Sequence, residues 1–329
     1  VIFVTVADTH LSDVNPVSRV DDYHASLMAK MEKVSRVCEK IGATALLHAG
    51  DLFHVKKPTR VSHALVTEVA DMLRNFPCPV YMVLGNHDIS YDRIDTWPRQ
   101  PVGTLITSGV VRLLSGNPAI FEEEGVRVGI YGQSFLRDYS VPVLDDINRA
   151  EHGLTHVLVV AHLFVREKSG TLFGTPVRGY DYFDHADFDV MLLGHDHDDR
   201  GVVVRREEGR EKFFIDVGAL SRGSLDDENV MRQVKCTVVT VEAEKGVKVQ
   251  QVDLKAAPSE EIFDLEQREA QKRERMQLDG FVDSLKQSLA GVESMDVGGC
   301  IAGLDLSERV RDRVVRYIEE AEQHLATSG

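Results

Sequence analysis

Ten short runs rich in β-branched residues, separated by stretches of helical periodicity, restrict this chain to a layered α/β fold. They are Val1–Ala7, Ala43–His48, Val80–Leu84, Val126–Tyr131, Val157–Ala161, Val190–Leu193, Gly201–Val204, Phe213–Val217, Cys236–Val241 and Val247–Val252. Between the first two, Leu27, Met31, Val34, Val37, Cys38 and Ile41 recur at steps that place them on one buried helix face. A second helix is predicted over Thr59–Asn75, with Thr59 as its N-cap. Parallel neighbours need crossovers of this kind, so the early strands read as parallel, with helices on the sheet faces. After Arg200 the runs follow one another through polar turns, the pattern of antiparallel hairpins. Pro258 marks a boundary, and Glu260–Leu278, Phe281–Leu289 and Ser307–Leu325 beyond it read as helices. The expected organisation is a 1–258 domain followed by a helical accessory extension over 259–329.

Composition narrows the function classes. With 43% hydrophobic and 28% charged residues in 329 positions, the chain can bury a sizeable core and leaves no room for extended disorder. No apolar run is long enough for a transmembrane helix, and the strand-like start carries no basic leader, so neither membrane span nor signal peptide is expected. Cys38, Cys78, Cys236 and Cys300 are scattered without a C-x-x-C pair, which fits free thiols and a cytoplasmic location. The net charge of -15 argues against a nonspecific nucleic-acid coat, since that affinity comes from Lys and Arg neutralising phosphates. About half of the acidic excess lies after Pro258, so 1–258 can still carry a local basic face.

Five motifs fall at the ends of predicted strands: Asp8-Thr9-His10, Gly50-Asp51, Gly85-Asn86-His87-Asp88, His162 and Gly194-His195-Asp196-His197. Loops beyond the carboxyl ends of strands in an α/β sheet open onto one crevice, so separate motifs can build a single site. The set offers oxygen and imidazole donors, no thiolate, and an Asp able to bridge two ions. Such mixed ligation fits Mn, Fe or Zn, whereas Mg alone would use more carboxylate and water. Two divalent ions against two carboxylates leave a positive centre suited to a phosphodiester anion. Asp196 and Asp198 flank the last candidate ligands and could orient imidazoles or simply be exposed.

The series D-x-H, G-D, G-N-H-D, H, G-H-x-H resembles the calcineurin-like metallophosphoesterase superfamily in its order from Asp8 to His197. Gly50-Asp51-Leu52-Phe53-His54 is similar, more narrowly, to the signature of SbcD-type DNA double-strand-break repair nuclease subunits. Gly218-Ala219-Leu220-Ser221-Arg222-Gly223-Ser224 occupies the place of that family's Pro-Gly-Ser turn, with different first residues. The resemblance implies a four-layer α/β/β/α metallophosphoesterase sandwich with a C-terminal helical extension. It implies one ion on Asp8, His10 and His197, a second on Asn86, His162 and His195, and Asp51 between them. The nucleophile would be a metal-bridging hydroxide. His87 would be the general acid or would stabilise transition-state charge, and His54 would contact the substrate phosphate.

On this reading the chain is a metal-dependent DNA exonuclease or endonuclease. Lys56, Lys57, Arg60, Arg166, Lys168 and Arg178 leave the metal-bearing strand ends and are the candidate backbone contacts. Tyr91, Trp97 and Tyr139 could add stacking, or pack in the core or at the rim. Expected partners are DNA, an SMC-like ABC ATPase subunit docked on the C-terminal helices, and a second copy in a homodimer. Two rivals stay open: a small-molecule or cyclic-nucleotide phosphodiesterase or phosphatase of the same superfamily, and a binding subunit for the ATPase.

Overall fold

The computed structural model describes residues 1–55, 60–172, 175–207 and 209–266, together with 269, 270, 273 and 276. Its centre is a pair of six-stranded sheets. The first contains β1 (Ile2–Val6), β2 (Ala45–His48), β3 (Val80–Met82) and β4 (Arg112–Leu113), all parallel, extended past β1 by the antiparallel hairpin β14 (Lys235–Glu242) and β15 (Gly246–Asp253). The second contains β5 (Ala119–Glu123), β6 (Val126–Gln133), β7 (His156–His162), β11 (Val190–Gly194), β12 (Gly201–Glu207) and β13 (Arg210–Asp216), in the order β12-β13-β11-β7-β6-β5. Here β6, β7, β11 and β13 run parallel, with an antiparallel strand at each edge. A small sheet of β8 (Val165–Arg166), β9 (Gly170–Leu172) and β10 (Thr175–Gly179) follows β7.

Strands buried on both faces read as continuous apolar runs, and each successive residue goes to the opposite layer. On β1, Val4 and Val6 face α1 (Tyr23–Ile41) and α2 (His63–Arg74), while Phe3, and Ala7 just past the strand, face the second sheet. On β7, Leu158 and Val160 face the first sheet, and Val157, Val159 and Ala161 face outward. The expected α/β sandwich is therefore present. Its fourth layer differs in detail. Among the described residues, Val143 and Phe183 in the 3-10 turns Pro142–Leu144 and Tyr180–Phe183 cover the outer face, together with Phe188. These connections carry Pro and Gly and lack a helical apolar stripe.

Asp22 caps α1 by accepting from Ala25 N at 2.9 Å, and Gly42 closes it in the left-handed conformation. α2 starts later than expected: Ser62 accepts from Leu65 N at 3.0 Å and is the N-cap, while Thr59 lies outside the described residues. The sequence reading also lacks α3 (Pro101–Thr107), α4 (Asp227–Met231) and the short strands β4, β5 and β8 to β10. Among the described residues no helix is long and apolar enough to cross a membrane.

The chain divides into two compact units, Val1–Phe263 and Asp264–Gly329. The first unit thus runs past Pro258. The helix expected from Glu260 is interrupted after α5 (Ser259–Ile262), because Phe263 is extended, bridges Arg19, and lies under the guanidinium groups of Arg19 and Arg222 at 5.5 and 5.4 Å. The expected helices Phe281–Leu289 and Ser307–Leu325 lie outside the described residues. Ile262 and Phe263 are almost fully buried. A chain ending at Phe263 should unfold in denaturant at the same midpoint as Val1–Phe263 does within the full chain, whereas Phe263→Ala should cost about 3 kcal/mol. Equal midpoints for chains ending at 258 and 263 would contradict that.

Candidate metal centre

The loops that follow β1 and β2 run side by side past the strand ends. Asp8 N donates to Gly50 O (3.1 Å), His10 N to Asp51 O (3.1 Å) and Leu11 N to Leu52 O (2.8 Å). Asp8, His10 and Asp51 are thereby brought together. All three, and His195, have left-handed backbone (φ 50°, 47°, 56° and 87°), a strain of about 1 kcal/mol or more each that tends to gather at functional sites. Gly85 lets the loop after β3 come close: a Cβ there would lie 2.0 Å from Asp51 Oδ1.

Around the crevice the donor atoms form two groups. Asp8 Oδ1 lies 3.9 Å from His10 Nε2 and 3.7 Å from His197 Nε2, and the two imidazole nitrogens approach to 3.0 Å. In the other group, His162 Nε2 lies 3.2 Å from Asn86 Oδ1 and 3.6 Å from Asp51 Oδ2. Asp51 Oδ2 is also 3.8 Å from His10 Nε2, so one carboxylate oxygen stands between the groups. His162 Nδ1 lies 2.7 Å from Ala49 O. A carbonyl can only accept, so Nδ1 carries the hydrogen and Nε2 keeps its lone pair for a ligand. His195 is placed beside His162, 4.8 Å between ring centres, and its backbone N donates to Asp8 Oδ2 at 3.0 Å.

Three buried atoms of this set, Asp8 Oδ1, His10 Nδ1 and His195 Nε2, have no hydrogen-bond partner among the described residues. Burial first, and then the Asp51 charge, raises the Asp8 carboxyl well above its usual range; burial also raises Asp51. Burial lowers His162 and His195 to about 3, and pushes His10 well down with help from His197. Carboxylates that repel one another, lined by neutral imidazoles with free lone pairs, make a donor set that divalent cations satisfy. The residues fit such ions.

His87 and His54 stand at the rim. His87 N donates to Asp51 Oδ1 (2.7 Å), and its Nδ1 lies 2.6 Å from His54 O, which again assigns the hydrogen to Nδ1. The two rings stack at 5.8 Å, and His10, His54 and His87 form a further group whose donor atoms lie within 4.8 Å of one another. Nothing in the sequence spacing pointed to that third group.

The basic residues fare unevenly. Lys56 and Lys57 lie outside the described residues. Arg60 and Lys168 are exposed. Arg166 is paired with Asp196 at 2.5 Å, and Arg178 donates to Tyr139 O at 2.8 Å, so both have partners within the fold. Asp196 correspondingly binds Arg166 and Arg200 rather than an imidazole. Tyr139 lies near His195 with 6.2 Å between ring centres, Tyr91 is exposed, and Trp97 packs on the first core.

Sequence reasoning missed two supports. Asp88 accepts from Asp51 N (2.8 Å), Leu52 N (3.2 Å) and Gly85 N (2.9 Å), tying two ligand loops together; burial and then Asp51 raise its carboxyl to about 8. Buried His48 accepts from Gly50 N at 3.2 Å through Nδ1, so Nε2 donates to Thr9 Oγ1 at 2.8 Å. A polar residue ending the apolar run Ala43–His48 was the available signal.

The family model of calcineurin-like phosphoesterases matches residues 3–199. Among solved structures, a Staphylococcus aureus protein described as a 5'-nucleotidase, in complex with alpha-ketoglutarate, aligns with TM-score 0.52 and 17% identity over 77% of this chain and 54% of its own. Haemophilus influenzae NAD nucleotidase aligns with TM-score 0.47 and 14% identity, over 76% of this chain and 49% of its own. Thermus thermophilus sulfate thiohydrolase gives TM-score 0.48 and 14% identity, over 79% and 58%. This chain thus spans about half the length of these structures, and at such identity the first likeness shows the fold alone. No curated protein matches the chain.

Proposed function

Since the chain belongs to the calcineurin-like phosphoesterases, we propose that the phosphoester it hydrolyses is a DNA phosphodiester, cleaved at a two-metal centre. The observation that carries the two-metal reading is Asp51 Oδ2, which stands 3.8 Å from His10 Nε2 and 3.6 Å from His162 Nε2. Asp8, His10 and His197 would hold one divalent ion, Asn86, His162 and His195 the other, and Asp51 both. Such ions supply Lewis acidity toward phosphoryl oxygens and lower the pKa of water.

The chain's own groups do the rest. His87 is held by its backbone to Asp51 and by Nδ1 to the His54 carbonyl, so Nε2 is the atom that delivers a proton to the leaving oxygen. His54, exposed and stacked on His87, meets a phosphate at the rim. DNA as substrate is supported by the Gly50–His54 segment, which puts a histidine there, and by exposed Arg60 and Lys168. A small phosphodiester or nucleotide is the second reading, favoured by the internal pairing of Arg166 and Arg178.

One assay separates them: the protein with Mn2+, offered end-labelled duplex DNA, single-stranded DNA, a chromogenic phosphodiester and a nucleoside monophosphate. We expect cleavage of DNA and of the chromogenic diester. The logarithm of DNA affinity should fall with that of salt by about 0.9 per phosphate contact on duplex, or about 0.7 on single strands. Reversing Arg60 and Lys168 to Glu should weaken DNA binding and flatten that slope while leaving the chromogenic reaction nearly unchanged. Turnover of the monophosphate with inert DNA sinks the nuclease reading.

A further inference from the structure

Residues Gly218–Arg222 form a strap between two sets of hydrogen bonds. On one side its amides donate to backbone beside the candidate ligands: Ala219 N to His197 O (3.1 Å), Leu220 N to Ala7 O (2.9 Å) and Ser221 N to Asp8 O (3.3 Å). Gly218 has φ +70°, and a Cβ there would lie 2.6 Å from His197 O, so the strap touches that loop closely. On the other side four successive carbonyls each accept from a buried cation. Arg232 Nη1 donates to Ala219 O (2.5 Å), Lys30 Nζ to Leu220 O (3.2 Å), Arg232 Nη2 to Ser221 O (2.6 Å), and Arg19 Nη1 to Arg222 O (2.6 Å).

These cations are costly. Lys30 is 3% and Arg232 7% exposed, and neither forms an ion pair with a carboxylate among the described residues; Arg19 has Asp21 at 2.7 Å. Burial, and then the charges of Arg19, Arg222 and Arg232, push the Lys30 ammonium down to about 7. Carboxylates act on them only at longer range, Asp199 and Glu228 on Arg232 and Asp21 on Lys30, so their direct partners are mainly carbonyls, and burying a charge on such partners costs more than packing alone requires. What they supply is directional: they fix the carbonyls of a segment whose amides hold Asp8 and His197. In the other half, the hydrogen bonds of His162 go to Ala49 and Asn86, away from the strap, and His195 reaches the strap-held side through its backbone N, on Asp8 Oδ2.

We propose that Arg232 and Lys30 are positioning residues for one half of the metal centre, holding Asp8 and His197 in place through the Gly218–Arg222 strap. This rests on the reading that Asp8, His10 and His197 form one ion's ligand set. Removing either cation should therefore weaken one ion and spare the other.

The test is calorimetric titration of the full chain with Mn2+ alone, for wild type, Arg232→Met, Lys30→Met and Arg232→Lys, alongside metal-free thermal unfolding. Wild type should show two binding events. In each Met variant one event should weaken by about 10–100-fold, the usual effect of losing a group that orients a ligand, while the other keeps its affinity. The spin-coupled Mn signal should give way to that of an isolated ion at limiting Mn2+. Metal-free stability should fall only by the cost of the carbonyls left without donors, and Arg232→Lys should restore part of the lost affinity. Two events unchanged in both Met variants, or two events weakened equally along with metal-free stability, overturn the positioning role while leaving the two-ion reading intact. A single event in wild type overturns the two-ion reading, and this inference with it.

Discussion

Asp51→Asn should reduce hydrolysis to background and lower bound metal from two ions per chain to at most one. The substitution keeps the side chain's shape and an oxygen to accept from His87 N, but removes the charge that stands between the His10 and His162 nitrogens. The effect on stability should change sign with metal. Without ions, Asp51 repels Asp8 in a dry pocket and is one of the causes that raise the Asp8 carboxyl, so the Asn variant should melt at the same temperature as wild type or higher. With saturating Mn2+, wild type gains stability in proportion to the logarithm of metal concentration over Kd, and the variant gains less. Melting curves with and without Mn2+, together with elemental analysis, check both statements. A variant that keeps two ions and its activity would remove Asp51 from the chemistry.

His87→Gln should lower activity by roughly a hundredfold or more, the usual size of a general-acid contribution, with metal content unchanged. The bond from His87 N to Asp51 is made by the backbone and survives the substitution. What is lost is the ring whose Nδ1 is fixed on His54 O and whose Nε2 is left to carry a proton. The deficit should shrink on a diester with a good leaving group, which needs little protonation. An equal deficit on good and poor leaving groups would assign His87 to charge stabilisation instead. Loss of metal in parallel with activity would make His87 a ligand, which the convergence of His10, His54 and His87 within 4.8 Å allows geometrically.

The parts of this account legible in the sequence are those written in local pattern. The apolar runs of the inner strands are legible because those strands are buried on both faces, and the motifs converge because they follow parallel strands whose ends open on one crevice. The parts that were not legible depend on partners distant in the chain. Arg166 reads as a free cation until Asp196 is beside it, and Thr9 reads as a spacer until His48 donates to it. β4 is two residues long, and β5 is an edge strand with exposed acidic residues, so neither leaves an apolar signature. Pro258 resembled a boundary because the segment after it is acidic and helical in composition, yet Ile262 and Phe263 close on the first unit.

Anomalous scattering from crystals grown with Mn2+ tests the central claim most directly. The account predicts two peaks about 3.5–4 Å apart. One should be reached by Asp8, His10 and His197, the other by Asn86, His162 and His195, with Asp51 contacting both and His87 outside bonding distance of either. A single peak, or two peaks without Asp51 between them, would contradict it.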